Sequence, residues 1–469
     1  MREQRPNLLW IMTDHLRHQA LGCNGDPNAR TPNLDRLAAQ GTVCELAFSH
    51  YPVCTPFRAG LLTGQYNHIN GVRVHGDLLP PDRRTIAHAF RRAGYRTSYV
   101  GKWHLASTNG LPSWQTHWCS GDDYWVHPYL RGGFEDWFAF DLSNNYYNTY
   151  YSTGESVEPV RLEGYQTDSL TDLSLKYLSE TAVQLRQPWF HVLSFESPHP
   201  GMGADGKSGY PAPPAFQAMF RPHDLVPREN VPDDVVDDAR AKAAGYYAMV
   251  ANIDHNVGRI LNWLDDNGLA ENTLVVFFAD HGEMLGSHGL YDKIVPYEES
   301  IHIPLILRLP GSVPAGKRYE GLVSGIDIFP TCAGFCGVPV FPEVQGIDQS
   351  LSVCGSRGHP RSEVLIQWLG KSRYNWGDHP YRAIRTNHYT YCLSSEATNQ
   401  SHGGHFRVLF DNAADPLQMN NLFGKCEASQ LQRSLHVQLC HAIRESGEEL
   451  PAFVTEASDM FGLPPALCS

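Results

Sequence analysis

Four short, strongly apolar runs stand out along the first two-thirds of the chain: "NLLWIM" at 7–12, "TSYV" at 97–100, "WFHVLSF" at 189–195 and "TLVVFFA" at 273–279. They lack the clean polar-out alternation of a half-exposed strand, so they predict strands buried on both faces, as in a parallel sheet covered by helices. Helical patterns lie between them. "TPNLDRLAAQG" offers Thr31 as N-cap, Pro32 at the first helical position and Gly41 as terminator. "RTIAHAFRRAG", ending at Gly94, and the long stretch from Val235 to Asn267 also read as helices. Strand and helix in alternation is the rhythm of βαβ units.

Beyond about residue 355 the texture changes to "EVLIQWL", "YRAIRTNHYTYCL" and "FRVLFD", short strands at hairpin spacing, followed by a helical stretch from Ala428 to Glu445. The predicted architecture is therefore α/β: a large mixed, mostly parallel sheet sandwiched by helices over residues 1–355. A smaller C-terminal α+β subdomain with an antiparallel sheet is expected over 356–469. Residues 112–160 and the Gly/Pro-rich 200–232 read as long insertions, the usual place for substrate-binding loops. The aromatic tract "DWFAFDLSNNYYNTYYSTG" (136–154) either stacks on an aryl ring or sugar face or buries its own rings. The segment after Pro451 is apolar enough to cover its own domain or a second copy in a homo-oligomer.

Composition narrows the function. With 42% hydrophobic and 19% charged residues, the 469-residue chain reads as soluble and globular. A net charge of −13 excludes a general nucleic-acid or membrane-surface binder, because the overall field repels phosphate. An anionic substrate then needs a local positive pocket. Eleven cysteines, scattered and without CxxC or paired zinc spacing, point to buried thiols in a reducing compartment. The apolar run Leu8–Met12 is too short for a signal-peptide core or a membrane span, so a cytoplasmic location is expected.

Polar residues cluster just after the predicted strands: Asp14 and His15 after the first, Lys102 and His104 in "GKWHL", His199 in "SPHP", Asp280 and His281 in "ADHGE". Ligand sites in open α/β sheets form beyond the carboxyl ends of the strands, so these distant segments are expected to meet on one edge. Asp14 and Asp280 offer hard carboxylate oxygens for a divalent cation, and His15 and His281 offer imidazole nitrogens. That donor mix leaves Ca²⁺, Mg²⁺, Mn²⁺ and Zn²⁺ open. Arg58, Lys102 and Lys293 are candidates to surround an anion, Arg58 one turn into a helix that starts near Cys54.

"CTPFRAGLLTG", from Cys54, resembles the signature of the formylglycine-dependent sulfatases of the alkaline phosphatase superfamily, C-x-P-x-R followed by Leu-Thr-Gly. The resemblance extends through "NLLWIMTDHLR", "GKWHL", "SPHP", "FFADHGEMLGSHGLYDK", "EESIHIPLILRLP", "YRAIRTNHYTY" and "LFDNAADPLQMNNL", in that order. It implies an alkaline phosphatase-like fold and hydrolysis of a sulfate ester, small-molecule or carbohydrate. It further implies that a separate formylglycine-generating enzyme oxidises Cys54 to an aldehyde. The hydrated aldehyde attacks sulfur with one hydroxyl and expels sulfate with the other, a second step that a thiol lacks.

By the same resemblance Asp14, His15, Asp280 and His281, with the modified Cys54, hold one divalent metal, calcium in the first instance. Arg58 holds the formylglycine and its helix, and Lys102 and Lys293 clamp the sulfate. His104 is the partner of the formylglycine hydroxyl, and His199 the acid for the leaving oxygen. His288 lines the same pocket. His15 departs from the pattern, since relatives more often carry Asp, Asn or Gln there; it either ligates through nitrogen or faces the substrate. Phosphonate monoester or phosphodiester hydrolases of the superfamily share the signature but tend to lack the lysine of "GKWH", which favours sulfate here. An inert anion- or metal-binding protein with an unaltered Cys54 is the remaining alternative.

Overall fold

A computed structural model of the chain describes residues 5–106, 124–184, 187–356, 358–370, 379–395 and 406–463. The apolar runs become the centre of a ten-stranded sheet. In chain order its early strands are β1 (Asn7–Asp14), β2 (Thr42–Phe48), β3 (Arg96–Lys102), β4 (Asp136–Phe140), β5 (Tyr150–Thr153), β6 (Val160–Arg161) and β7 (Trp189–Pro198). A separate small hairpin, β8 (Gly201–Met202) and β9 (Ser208–Gly209), precedes β10 (Thr273–Ala279), β11 (Leu305–Arg308) and β12 (Lys317–Ser324). The spatial order is β12-β2-β11-β10-β1-β7-β3-β4-β5-β6.

Every residue of β1, β7 and β10 is buried, which is why these segments read as continuous apolar runs. β1 runs parallel to both β7 and β10, and β7 parallel to β3, so four carboxyl ends emerge on one edge. Antiparallel β11, β5 and β6 make the sheet mixed. The helices Gln166–Glu180 and Val236–Asp266 pack on each other and on β7. The Trp10 indole of β1 meets Cys332 Sγ of the helix Ile328–Phe335 at 3.3 Å.

The region read as an insertion at 112–160 supplies β4 and β5, which extend the sheet edge beside β3. Residues 112–123 lie outside the described part. Trp137, Phe140 and Tyr146 of the aromatic tract are buried in the main core, so the tract largely buries its own rings.

The second sheet, β13 (Val364–Trp368), β14 (Tyr381–Arg385), β15 (Tyr389–Ser394) and β16 (Arg407–Asp411), is an antiparallel meander. Leu365, Ile384, Leu393 and Leu409 pack with Leu435, Leu439 and Ile443 of the helix Ser429–Glu445 and with Val454 of the helix Ala452–Met460. The segment after Pro451 thus covers its own domain as far as it is described. Other residues of the sheet, Ile366, Trp368, Tyr381 and Cys392, share a core with Tyr51, Val53 and Cys54, so the sheet backs the start of the Cys54 helix. Among the described residues nine cysteines are free thiols, and no helix is long and apolar enough to cross a membrane.

Candidate active site

Cys54 is the first residue of the helix Cys54–Thr63, all of it buried. Arg58, one turn on, reaches across the strand ends: its NH1 donates to the Lys102 carbonyl at 2.8 Å and to Ser194 Oγ at 2.9 Å, and its NH2 donates to Asp14 Oδ2 at 3.3 Å. Asp280 Oδ2 lies 3.5 Å away. Arg58 therefore ties the cysteine helix to β1, β3, β7 and the end of β10 and is not free to bind an outside anion. Lys102 reaches Asp14 because Gly101 lets β3 come close to β7. The backbone there has φ +102°, and a Cβ would lie 2.0 Å from the Ser194 carbonyl oxygen.

Asp14, Asp280 and His281 each commit one donor or acceptor to the protein and keep one back. Asp14 Oδ2 takes Lys102 Nζ at 2.8 Å. Asp280 Oδ1 accepts the backbone N–H groups of His15 (3.0 Å) and His281 (2.9 Å). His281 Nδ1 meets the Gly282 carbonyl at 3.0 Å, which fixes the proton on Nδ1 and turns the Nε2 lone pair inward. Asp14 Oδ1, Asp280 Oδ2 and His281 Nε2 are left buried without a hydrogen bond. Ligand atoms of Asp14, Cys54 and His281 lie within 4.8 Å of one another. Unsatisfied, fully buried lone-pair atoms of Asp14 and His281 meet beside Cys54, with the Asp280 carboxylate next to His281, and together they fit a divalent cation, since leaving them bare is costly.

The charges agree. Burial alone would raise the Asp14 carboxyl, but Lys102, His199, His281 and Arg58 hold it well below the usual range. Asp280 is pushed up by burial and by Asp14. Two carboxylates this close call for more positive charge than the side chains supply.

Three more predicted residues close the ring. His104, with φ 59°, stacks edge-on against His75 at 4.6 Å, and ligand atoms of both lie within 4.8 Å of that of Cys54. Burial and then Lys102 keep His104 neutral. Lys293 Nζ lies 2.9 Å from His199 Nε2, whose Nδ1 meets the Pro200 carbonyl at 2.8 Å. Burial would lower the Lys293 ammonium, but Asp292 at 3.2 Å raises it. Burial and Lys293 drive His199 well below its ordinary value. His199 and Asp292 are the partly open residues of the ring, so the site reaches solvent on their side.

Two placements differ from expectation. His15 is at the site, with a ring nitrogen within 4.8 Å of ligand atoms of Asp14 and His199, but its Nε2 lies 2.6 Å from Glu283 Oε2 and its Nδ1 faces Lys293. His288 is not brought in; it stacks on Tyr297 at 4.2 Å and bonds Asn230, because a left-handed backbone (φ 55°) turns it to the neighbouring loop. Four residues were not foreseen: His75, Glu196, Glu283 and Asp292. Glu196 Oε1 lies 3.4 Å from Lys102, and a charge inside the apolar run of β7 is the signal for it. Glu283 and Asp292 stand beside predicted residues, whereas nothing in the loop around His75 marks it.

Comparison with known proteins bears on this cluster directly. The family profile described as Sulfatase matches residues 6–338, and that described as N-sulphoglucosamine sulphohydrolase, C-terminal, matches 286–445. An ulvan-active sulfatase of Formosa agariphila is 33% identical over 95% of this chain and 82% of its own length. An N-acetylglucosamine-6-O-sulfatase of Bacteroides thetaiotaomicron is 27% identical over 92% of this chain and 85% of its own. The solved phosphonate monoester hydrolase of Agrobacterium radiobacter superposes with a TM-score of 0.76 at 23% identity, covering 94% of this chain and 96% of that one, a likeness of fold.

Proposed function

This chain belongs to the sulfatase family and is a sulfuric ester hydrolase, and from that premise we propose that it acts on sulfated sugars through a formylglycine made from Cys54. The observation that carries the reading is the convergence of the unsatisfied atoms of Asp14 and His281 on Cys54 at a buried helix start, with Asp280 beside His281. The family is metal-dependent. Asp14, Asp280, His281 and the side chain at 54 would hold the cation, which lowers the pKa of an attacking hydroxyl and offsets charge on the sulfuryl oxygens. With His15 engaged by Glu283 and Lys293, two carboxylates and one imidazole remain, a hard donor set that favours calcium.

The chain's own groups divide the remaining work. Lys102 and Lys293 both border the site, and their fixed charges stabilise the transferring group without reorganising. Neutral His104, beside Cys54, accepts a proton from the group at position 54. His199 and Lys293 share an N–H across 2.9 Å on the open side of the ring, where the leaving oxygen departs. That pair supplies its proton. Only a sulfate group needs to enter so closed a ring, while the rest of the substrate stays outside past His199 and Asp292, which suits a sulfate carried on a bulky sugar.

Two measurements test this. Tryptic cleavage yields the peptide Leu37–Arg58; mass analysis of protein from its native host should show it lighter by the thiol-to-aldehyde difference, and an unaltered Cys54 overturns the mechanism. A panel of sulfated saccharides, aryl sulfates, choline sulfate and phosphonate monoesters should give the highest kcat/KM with a sulfated saccharide. Preference for a phosphonate would reassign the reaction.

A further inference from the structure

The surroundings of His15 show what its imidazole does. The ring is fully buried. Its Nδ1 lies 3.5 Å from Lys293 Nζ. An ammonium has protons to give and no lone pair, so Nδ1 is the acceptor and the proton of the neutral ring sits on Nε2. That Nε2 lies 2.6 Å from Glu283 Oε2 and 3.5 Å from Asp292 Oδ1. Neither nitrogen therefore offers a lone pair to a cation at Asp14, Asp280 and His281.

Glu283 is itself held firmly. Its Oε1 accepts the N–H groups of Leu285 (2.9 Å) and Asp292 (2.7 Å), and its Oε2 accepts the Tyr210 hydroxyl (3.0 Å). The sequence therefore builds a rigid line from a buried carboxylate, through one imidazole, to the Lys293 ammonium. The same ammonium also meets His199 Nε2 at 2.9 Å and Asp292 Oδ1 at 3.2 Å.

We propose that Glu283, acting through His15, is a positioning residue for Lys293: the pair gives the ammonium a fixed acceptor at the site beside the competing charge of Asp292. Without the imidazole, Lys293 keeps Asp292 as its nearest opposite charge, and in a water-poor site that attraction draws it off the anion. His15 then shapes the grip on the sulfate group, independent of what the sulfate is attached to. This inference rests on the role of Lys293 as sulfate clamp given above.

The test uses full-length, calcium-loaded protein and inorganic sulfate as the probe, with binding followed by calorimetry and metal content by elemental analysis. His15→Leu and Glu283→Gln should each weaken sulfate binding about tenfold. KM should rise in step for good and poor leaving groups alike, with kcat changed less than about threefold and metal content unchanged. His15→Gln carries one acceptor and one donor and should recover most of the lost affinity, which a merely structural role would not give. Loss of the metal in His15→Leu, or wild-type sulfate affinity in folded Glu283→Gln, overturns the proposal. If His15→Leu fails to fold, Glu283→Gln and His15→Gln decide it. Sulfate binding does not require converted Cys54, so this failure is distinct from finding that cysteine unaltered.

Discussion

Lys293 and His199 face each other across 2.9 Å with a single N–H between them, and this contact decides what each is worth to the reaction. His199→Ala removes the acceptor on the leaving side. Turnover of esters with poor leaving groups should fall by about 10² or more, while esters with good leaving groups, which need no protonation, should be slowed far less. Comparing kcat for two substrates of different leaving-group pKa checks this; equal losses would assign the proton elsewhere. The cation should be read in the same way. Asp280→Asn keeps an oxygen for the His15 and His281 amides but places an uncharged group among the converging ligands, so it should weaken metal retention and lower activity unless calcium is raised. Chelation of the wild type should lower Tm as well as activity, because Asp14 and Asp280 then face each other unshielded, and added calcium should restore both.

At the scale of elements, the sheet edge works because strands end together. Gly101→Ala tests that alignment: the new Cβ would meet the Ser194 carbonyl at 2.0 Å in a backbone conformation with φ +102°. The expected cost is about 1–3 kcal/mol in denaturant unfolding, with a larger loss of activity as Lys102 and Arg58 lose their shared anchor on β3. What the sequence revealed follows the same physics. β1, β7 and β10 were readable because burial on both faces demands unbroken apolar runs, and their last residues could then be assigned to the site. β12 was not, because Lys317, Arg318 and Glu320 suit a sheet edge and hide its strand character. Asp14, Asp280 and His281 were legible as neighbours on one sheet edge because each ends or closely follows a strand. The turn of His15 toward Glu283 was not legible, since it depends on a positive φ at His15 (74°) and on a loop that returns Asp292 and Lys293 to the sheet.

For the whole molecule, stability should depend on acid, and three core histidines outside the site, far apart in the chain, contribute to that dependence. Burial, helped by Arg361, holds His50 down to about 3. Burial holds His191, between the hydroxyls of Ser98 and Ser174, to about 3, and His436 to about 4. The unfolded chain takes up these protons near 6.5, whereas the folded chain refuses them until far lower pH. The stability they allow is therefore complete above pH 6.5 and is lost as pH falls toward 4, by about 1.4 kcal/mol per pH unit for each histidine. Urea unfolding from pH 7 to 4 should show that slope, and His191→Gln should flatten it by about one proton's share.

The antiparallel sheet behind Cys54 has a consequence in time. Ile366, Trp368 and Tyr381 close over the same core as Val53, and the thiol of the finished molecule is 1% exposed. If Cys54 is converted as proposed, the oxidising enzyme must grip this stretch as loose, extended polypeptide, so its window shuts when the last quarter of the chain settles into place. Folded protein from a host without that enzyme should stay unconverted when the two are mixed, and synthesis in its presence should yield the aldehyde.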